Sequence, residues 1–148
     1  MTKSILCVCL GNICRSPTAE AVLSARLPGI RVDSAGTGDW HIGAPPYGPA
    51  QKAAAQRGYD LSQQRARQVT RQDFYDFQMI FAMDAQNLAD LHAIAPKDST
   101  ARRLLFLEPL GGGDVPDPYY TGDFEHTLDL IEAAAEAWAR QPHISSAI

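Results

Sequence analysis

Residues 4–17 constrain this chain more than any other stretch. An apolar run from Ser4 to Val8 reads as a strand. A short loop follows, Cys9-Leu10-Gly11-Asn12-Ile13-Cys14-Arg15-Ser16, and Pro17 opens a run to about Leu27 that reads as a helix. A strand that turns directly into a helix is one unit of a parallel sheet. The first amides of a helix have no partner inside it and point outward, so the loop before them is a ready anion site.

The loop also carries chemistry. A free thiol is mostly protonated near neutral pH. Loop amides, the positive end of the helix and Arg15 would all favour the thiolate at Cys9. A thiolate attacks phosphorus well and leaves tolerably. The guanidinium of Arg15 is a planar fork that can hold two phosphoryl oxygens, which an ammonium cannot. Gly11 lets backbone approach a ligand, and Asn12 tolerates the left-handed conformation that tight anion nests need. Ser16 can donate its hydroxyl to the Cys9 sulfur, and Pro17 suits a first helical turn. The set points to phosphoryl transfer through Cys9, with Leu10, Gly11, Asn12, Ile13, Cys14 and Ser16 forming the rest of the loop.

The chain has 148 residues, 45% apolar and 20% charged, with a formal net charge of −4. That is enough for one domain with an ordinary core. An acidic balance does not favour nucleic acid or an anionic membrane as partner, so anion binding must be local. No apolar run approaches the roughly 20 residues of a membrane span, and the N-terminus does not read as a signal peptide. The three cysteines all fall between positions 7 and 14. That is no disulfide framework and fits a reducing cytoplasm.

Strand-like runs at 5–8, 30–34, 78–82 and 103–107 alternate with helical patterns. Residues 35–38 read as a turn and 40–48 as an irregular loop. A helix is expected over 49–57, another after Thr70 as N-cap, a third from Asp84 to about Ile94, and a long one over 124–140 before a frayed tail. Residues 108–121 read as a long Gly/Pro-rich loop. The pattern implies one α/β domain, a four-stranded parallel sheet with helices on both faces. Ligands bind such sheets beyond the carboxyl ends of the strands. Cys9 and the 108–121 loop share that end.

A leaving oxygen needs a proton, and none of the four histidines stands in an obvious place. Asp117, between Pro116 and Pro118, is the better candidate, although Asp-Pro is also ordinary turn chemistry. A carboxyl stiffly held over a partly apolar cleft can serve as general acid. The adjacent Tyr119 and Tyr120 suit walls that clamp an aromatic group. Trp40 reads as the opposite wall or as plain packing.

Together these segments resemble the low molecular weight protein tyrosine phosphatases along nearly the whole chain. Residues 9–17, 33–37, 66–68, 83–84 and 117–120 match that family's pattern in its order. The resemblance implies a phosphotyrosine phosphatase I-like fold. It implies Cys9 as nucleophile, Arg15 as phosphate clamp and Asp117 as general acid and base. Asn12 and Ser16 would organise the loop; Trp40, Tyr119 and Tyr120 would line the cleft. No metal or cofactor is implied. The expected partners are tyrosine-phosphorylated proteins and phosphate-like oxyanions, and the expected state is a cytoplasmic monomer.

Two positions depart from the pattern. Gln64 stands where the family often has a His bonded to the loop Asn and Ser network. Tyr47-Gly48-Pro49-Ala50 replaces an Asp-Pro-Arg-Ala sequence at the start of the second helix. Arsenate reductases use a similar loop but relay oxidation to cysteines farther along, and none follows Cys14 here. A phosphoarginine branch of the family tends to carry Thr at the position of Ile13. A phosphopeptide-binding module would lack a nucleophile or an acid, and both are present. Cys14, five residues after Cys9, is placed to trap an oxidised Cys9 as a disulfide if the loop brings the sulfurs together.

Overall fold

The computed structural model describes residues 2–145. Strands β1 (Ser4–Cys9), β2 (Arg31–Gly36), β3 (Met79–Ala82) and β4 (Arg102–Leu105) form one sheet in the order β2-β1-β3-β4. Every pairing is parallel. Helices α1 (Arg15–Arg26), α2 (Gly48–Gln56), α3 (Asp73–Asp76), α4 (Ala85–Ile94), α5 (Pro118–Thr121), α6 (Phe124–Ala139) and α7 (Pro142–Ser145) complete it.

The unbroken apolar run of β1 has a direct cause. Ile5 and Cys7 enter one hydrophobic cluster with Met79 and Phe81 of β3, Val22 and Leu23 of α1, and Ile131 and Trp138 of α6. Leu6 and Val8 enter another with Ile80, Ala82, Phe74 of α3 and Leu91 of α4. A central strand covered on both faces has no polar side, so it shows no alternation. Trp138 stacks on Phe81 at 4.5 Å and donates its indole N–H to the Phe106 carbonyl at 2.8 Å.

Several boundaries differ from expectation. Helix α1 starts at Arg15, two residues before Pro17, because proline is tolerated throughout a first turn whose amides have no partners. Strand β2 runs to Gly36 instead of ending at 34. Gly36 pairs with Cys9, and Thr37 N–H then donates to the Cys9 carbonyl at 2.9 Å, so the expected turn continues the ladder. A Cβ at Gly36 would lie 2.7 Å from the Leu10 carbonyl oxygen, so only glycine lets the strand run this close to the loop. Thr70 is not a helix cap. Its N–H donates to the Asp73 carboxylate at 2.8 Å, the carboxylate is shared with Arg67, and α3 begins only at Asp73. The 108–121 segment is not loop throughout. It holds a 3-10 turn, Glu108–Leu110, and the single turn α5. The expected frayed tail forms α7, anchored where Thr2 N–H donates to the His143 carbonyl at 2.9 Å. The last three residues of that tail lie outside the described residues.

Strand β1 has β2 on one side and β3 on the other, so the strand order reverses at its carboxyl end. That is where open parallel sheets bind ligands, and Cys9 is its last residue.

Candidate active site

Cys9 is 3% exposed at the end of β1. The Ser16 hydroxyl lies 3.0 Å from its sulfur, and Asn12 N–H donates to it at 3.3 Å. A hydroxyl and a backbone amide thus converge on one sulfur. Asn12 has φ of 56°, alone among the described non-glycine residues in being left-handed. Such a residue costs about 1 kcal/mol or more unless its surroundings over-determine it. Here they do. The Asn12 side-chain amide donates to Ser16 Oγ at 2.8 Å and to Ser34 Oγ at 3.0 Å, and its carbonyl accepts from Arg67 N–H at 3.0 Å. Because Ser16 Oγ accepts from Asn12, its own hydrogen is free for the sulfur at 3.0 Å or the Ala35 carbonyl at 3.4 Å. No side chain caps the start of α1 at Cys14, which suits a helix end meant for an anion.

Arg15 is also 3% exposed. Its guanidinium donates to Asp84 Oδ2 at 2.8 Å and the Val115 carbonyl at 2.9 Å, and reaches Asp117 Oδ2 at 3.5 Å. Burial alone would disfavour its charge. The neighbouring Cys9 sulfur, the bond to Asp84 and the charge of Asp117 outweigh that and raise its pKa further. Asp84 uses its other oxygen to cap α4, accepting from Asn87 N–H at 2.7 Å. One carboxylate thus ties the Arg15 guanidinium to a helix start.

Asp117 is the N-cap of α5, accepting from Tyr119 N–H at 3.1 Å. The same carboxylate thus caps a turn and reaches Arg15 at the cleft. Tyr119 packs on Tyr120 edge to face at 5.3 Å and on Tyr47 at 5.2 Å, and Tyr47 reaches Phe124 at 6.1 Å. The departure at Tyr47 gives α2 an aromatic buttress for the cleft wall.

A cleft of about 240 Å³ collects Cys9, Leu10, Gly11, Ile13, Cys14 and Arg15 at its base and Trp40, His41, Asp117, Tyr119 and Tyr120 around it. Trp40 and Tyr120 are 69% and 75% exposed. Asn12 and Ser16 do not line the cleft but contact the Cys9 sulfur. The sequence reading missed His41, whose ring would sit 3.0 Å from a Cβ placed on Gly11; its only sequence signal was adjacency to Trp40. It also missed Asp84 as a partner of Arg15. Among the described residues, no group of three or more His, Cys, Asp or Glu is placed to hold a metal ion. None of their helices is long and apolar enough to cross a membrane.

The cysteines differ sharply. Burial, then the charges of Asp117 and Cys9, push Cys14 up to about 12 despite Arg15. Burial, then Glu20, Asp33 and Cys9, drives Cys7 well above the ordinary thiol range. Neither is a ready nucleophile.

Comparison with known proteins places the chain in a family. Residues 4–145 match the family described as low molecular weight phosphotyrosine protein phosphatase. The low molecular weight protein-tyrosine-phosphatase YfkJ of Bacillus subtilis is 48% identical over 142 residues, covering 90% of this chain and 91% of that protein. Its crystal structure superposes with a TM-score of 0.89, covering 97% of this chain and 96% of that one at 40% identity. Vibrio vulnificus Wzb, solved in complex with benzylphosphonate, gives 0.88 at 35% identity, covering 95% and 99%. The chain belongs to the low molecular weight phosphotyrosine protein phosphatase family.

Proposed function

We propose that this protein hydrolyses phosphotyrosine in proteins, and small aryl phosphates, through a phosphocysteine on Cys9. One observation carries the reading: a buried sulfur facing two hydrogen-bond donors shares a cleft with a buried guanidinium and a carboxyl. The phosphoryl oxygens would replace part of the contact between Arg15 and Asp117, at 3.5 Å the loosest of the Arg15 bonds. Cys9 Sγ then forms the S–P bond as the P–O bond to the tyrosyl oxygen breaks. Asp117 delivers its proton to that oxygen. In the second half Asp117 takes a proton from water, water attacks phosphorus, and the S–P bond breaks with Ser16 donating to the departing sulfur. Wzb's benzylphosphonate carries a phenyl ring, and the Trp40, Tyr119 and Tyr120 walls suit such a ring here. Inorganic phosphate would occupy the same loop as product.

The test is turnover of p-nitrophenyl phosphate by wild type and Cys9→Ser. The variant should lose essentially all activity while melting at an unchanged temperature; substantial residual turnover would refute Cys9 as nucleophile. Phosphotyrosine should be preferred over phosphoarginine, and the opposite preference would move the assignment to the other substrate class.

The reading extends to the compartment and to redox control. All three cysteines are free thiols, as suits a reducing cytoplasm, and we take the protein to act there as a monomer. Peroxide would convert Cys9 to a sulfenic acid, and Cys14, once the loop opens and its buried thiol can ionise, would close a disulfide with loss of water. Wild type should regain activity in dithiothreitol after peroxide and Cys14→Ser should recover markedly less. Equal recovery would reject the disulfide.

A further inference from the structure

The hydrogen-bond chain behind Cys9 does not stop at Asn12. Asn12 Nδ2 donates to Ser34 Oγ at 3.0 Å, and the Ser34 hydroxyl donates to Glu20 Oε1 at 2.7 Å. Ser34 Oγ also lies 3.5 Å from Gln64 Oε1. Gln64 is oriented by its other end, since its Nε2 donates to the Pro17 carbonyl at 3.0 Å. Its oxygen therefore faces Ser34. Glu20, half-buried on α1, makes no ion pair among the described residues. The charged or titratable groups around it are Asp33 on β2, Arg67 from the 66–68 segment and Cys7 on β1. The Arg67 charge is already shared by Asp33 at 3.1 Å and Asp73 at 2.9 Å. Gln64 cannot titrate. Glu20 is thus the titrating end of a relay whose other end is the Cys9 sulfur.

We propose that Glu20 is a positioning residue whose protonation reverses a bond in this relay and thereby sets how tightly the Cys9 loop holds an oxyanion. The inference rests on the reading of that loop as the phosphoryl site. With Glu20 ionised, Ser34 donates to it. With Glu20 protonated, its O–H donates to Ser34 Oγ, and the Ser34 hydrogen turns to Gln64 Oε1. Asn12 donates to Ser34 in both states; only the half-buried Gln64 Oε1 loses the Ser34 hydrogen when Glu20 is ionised. Ionised Glu20 makes Ser34 the stronger acceptor. It draws the shared Asn12 amide away from Ser16, which loosens the bond that holds Asn12 in its left-handed loop conformation. Its charge also opposes a dianion in the loop. Both effects weaken oxyanion binding as pH rises. The window is physiological, because burial, then the Asp33 charge against the Ser34 bond and Arg67, pushes Glu20 up to about 7.

Sulfate is the probe, since it stays a dianion across the range and separates titration of the protein from that of phosphate. Its competitive inhibition of p-nitrophenyl phosphate hydrolysis is measured from pH about 5.5 to about 8, where the relay predicts a wild-type loss of affinity of about 5-fold, the low end of coupling between sites. Glu20→Gln should remove that step and keep the acidic-side affinity throughout. Gln64→Leu removes the acceptor of the acid form, so its step should move to lower pH. Thermal melts confirm that each variant folds. A Glu20→Gln profile parallel to wild type, or a Gln64→Leu step at the wild-type pH, would overturn the relay. Failure of sulfate to inhibit any of the three proteins would instead overturn the loop as an oxyanion site, and the relay with it.

Discussion

The side chains with most at stake are the two whose neighbours leave them least freedom. Arg15 is gripped by Asp84, Val115 and Asp117, so its planar fork is aimed before any ligand arrives. Arg15→Lys keeps the charge but not the fork. It should lower kcat/KM at least about 100-fold, which is about 2.7 kcal/mol of transition-state binding. A loss of only a few-fold would show that point charge suffices. Asp117→Asn should slow aryl phosphates with poor leaving groups far more than p-nitrophenyl phosphate, which needs little protonation. Equal losses across a leaving-group series would assign Asp117 to α5 capping alone. The meeting of Cys9, Arg15 and Asp117 in one cleft was legible from residue type and spacing, because each stands out within its own segment. Asp84, His41 and Glu20 were not. Their relevance depends on partners 69, about 30 and 14 positions away, which only the folded chain supplies.

Among the elements, those with strong local signals were readable. Continuous apolar runs gave the strands, and Asp84 gave the start of α4, which its side chain caps. The extension of β2 through Gly36 was hidden, because a Gly-rich run reads as a turn unless the neighbouring loop is known to need the space. Gly36→Ala tests that explanation. Its Cβ would meet backbone of Leu10, Asn12 and Gly11 at 2.7, 3.2 and 3.2 Å, and backbone cannot swing aside. We expect a stability loss of about 1–3 kcal/mol with weakened phosphate inhibition. Unchanged inhibition would mean that the loop tolerates the shift. Asp84 separates cap from clamp. Asp84→Asn keeps the cap and loses the charge beside Arg15; Asp84→Ala loses both and should be less stable in urea by about a further 1 kcal/mol. Equal stability of the two would deny the cap any role.

At the scale of the whole molecule, the sheet order sets the site. Both the parallel α/β class and the position of Cys9 at a strand end followed from the alternation of strands and helices. The order β2-β1-β3-β4 did not, since nothing local tells β3 which side of β1 to join. That order brings the Asp117 loop over the Cys9 loop, through Met83 N–H to the Val8 carbonyl at 2.9 Å and Val115 N–H to the Met83 carbonyl at 2.8 Å. Global stability should carry the mark of Glu20. Its pKa is raised on folding, so the native state binds the extra proton. The contribution is complete below the ordinary carboxylate range and is lost as pH rises through about 7. Glu20→Gln should therefore raise Tm by a few degrees at pH about 8 and change it little at pH about 4. The same shift at both would contradict the raised carboxyl. The central claim, covalent catalysis at Cys9, is tested most directly by acid-quenching a single turnover of p-nitrophenyl phosphate and mapping the phosphoryl adduct by mass spectrometry. The account predicts a transient adduct on the peptide carrying Cys9, absent from Cys9→Ser. No adduct during the burst of p-nitrophenol, or an adduct on any other side chain, would contradict it.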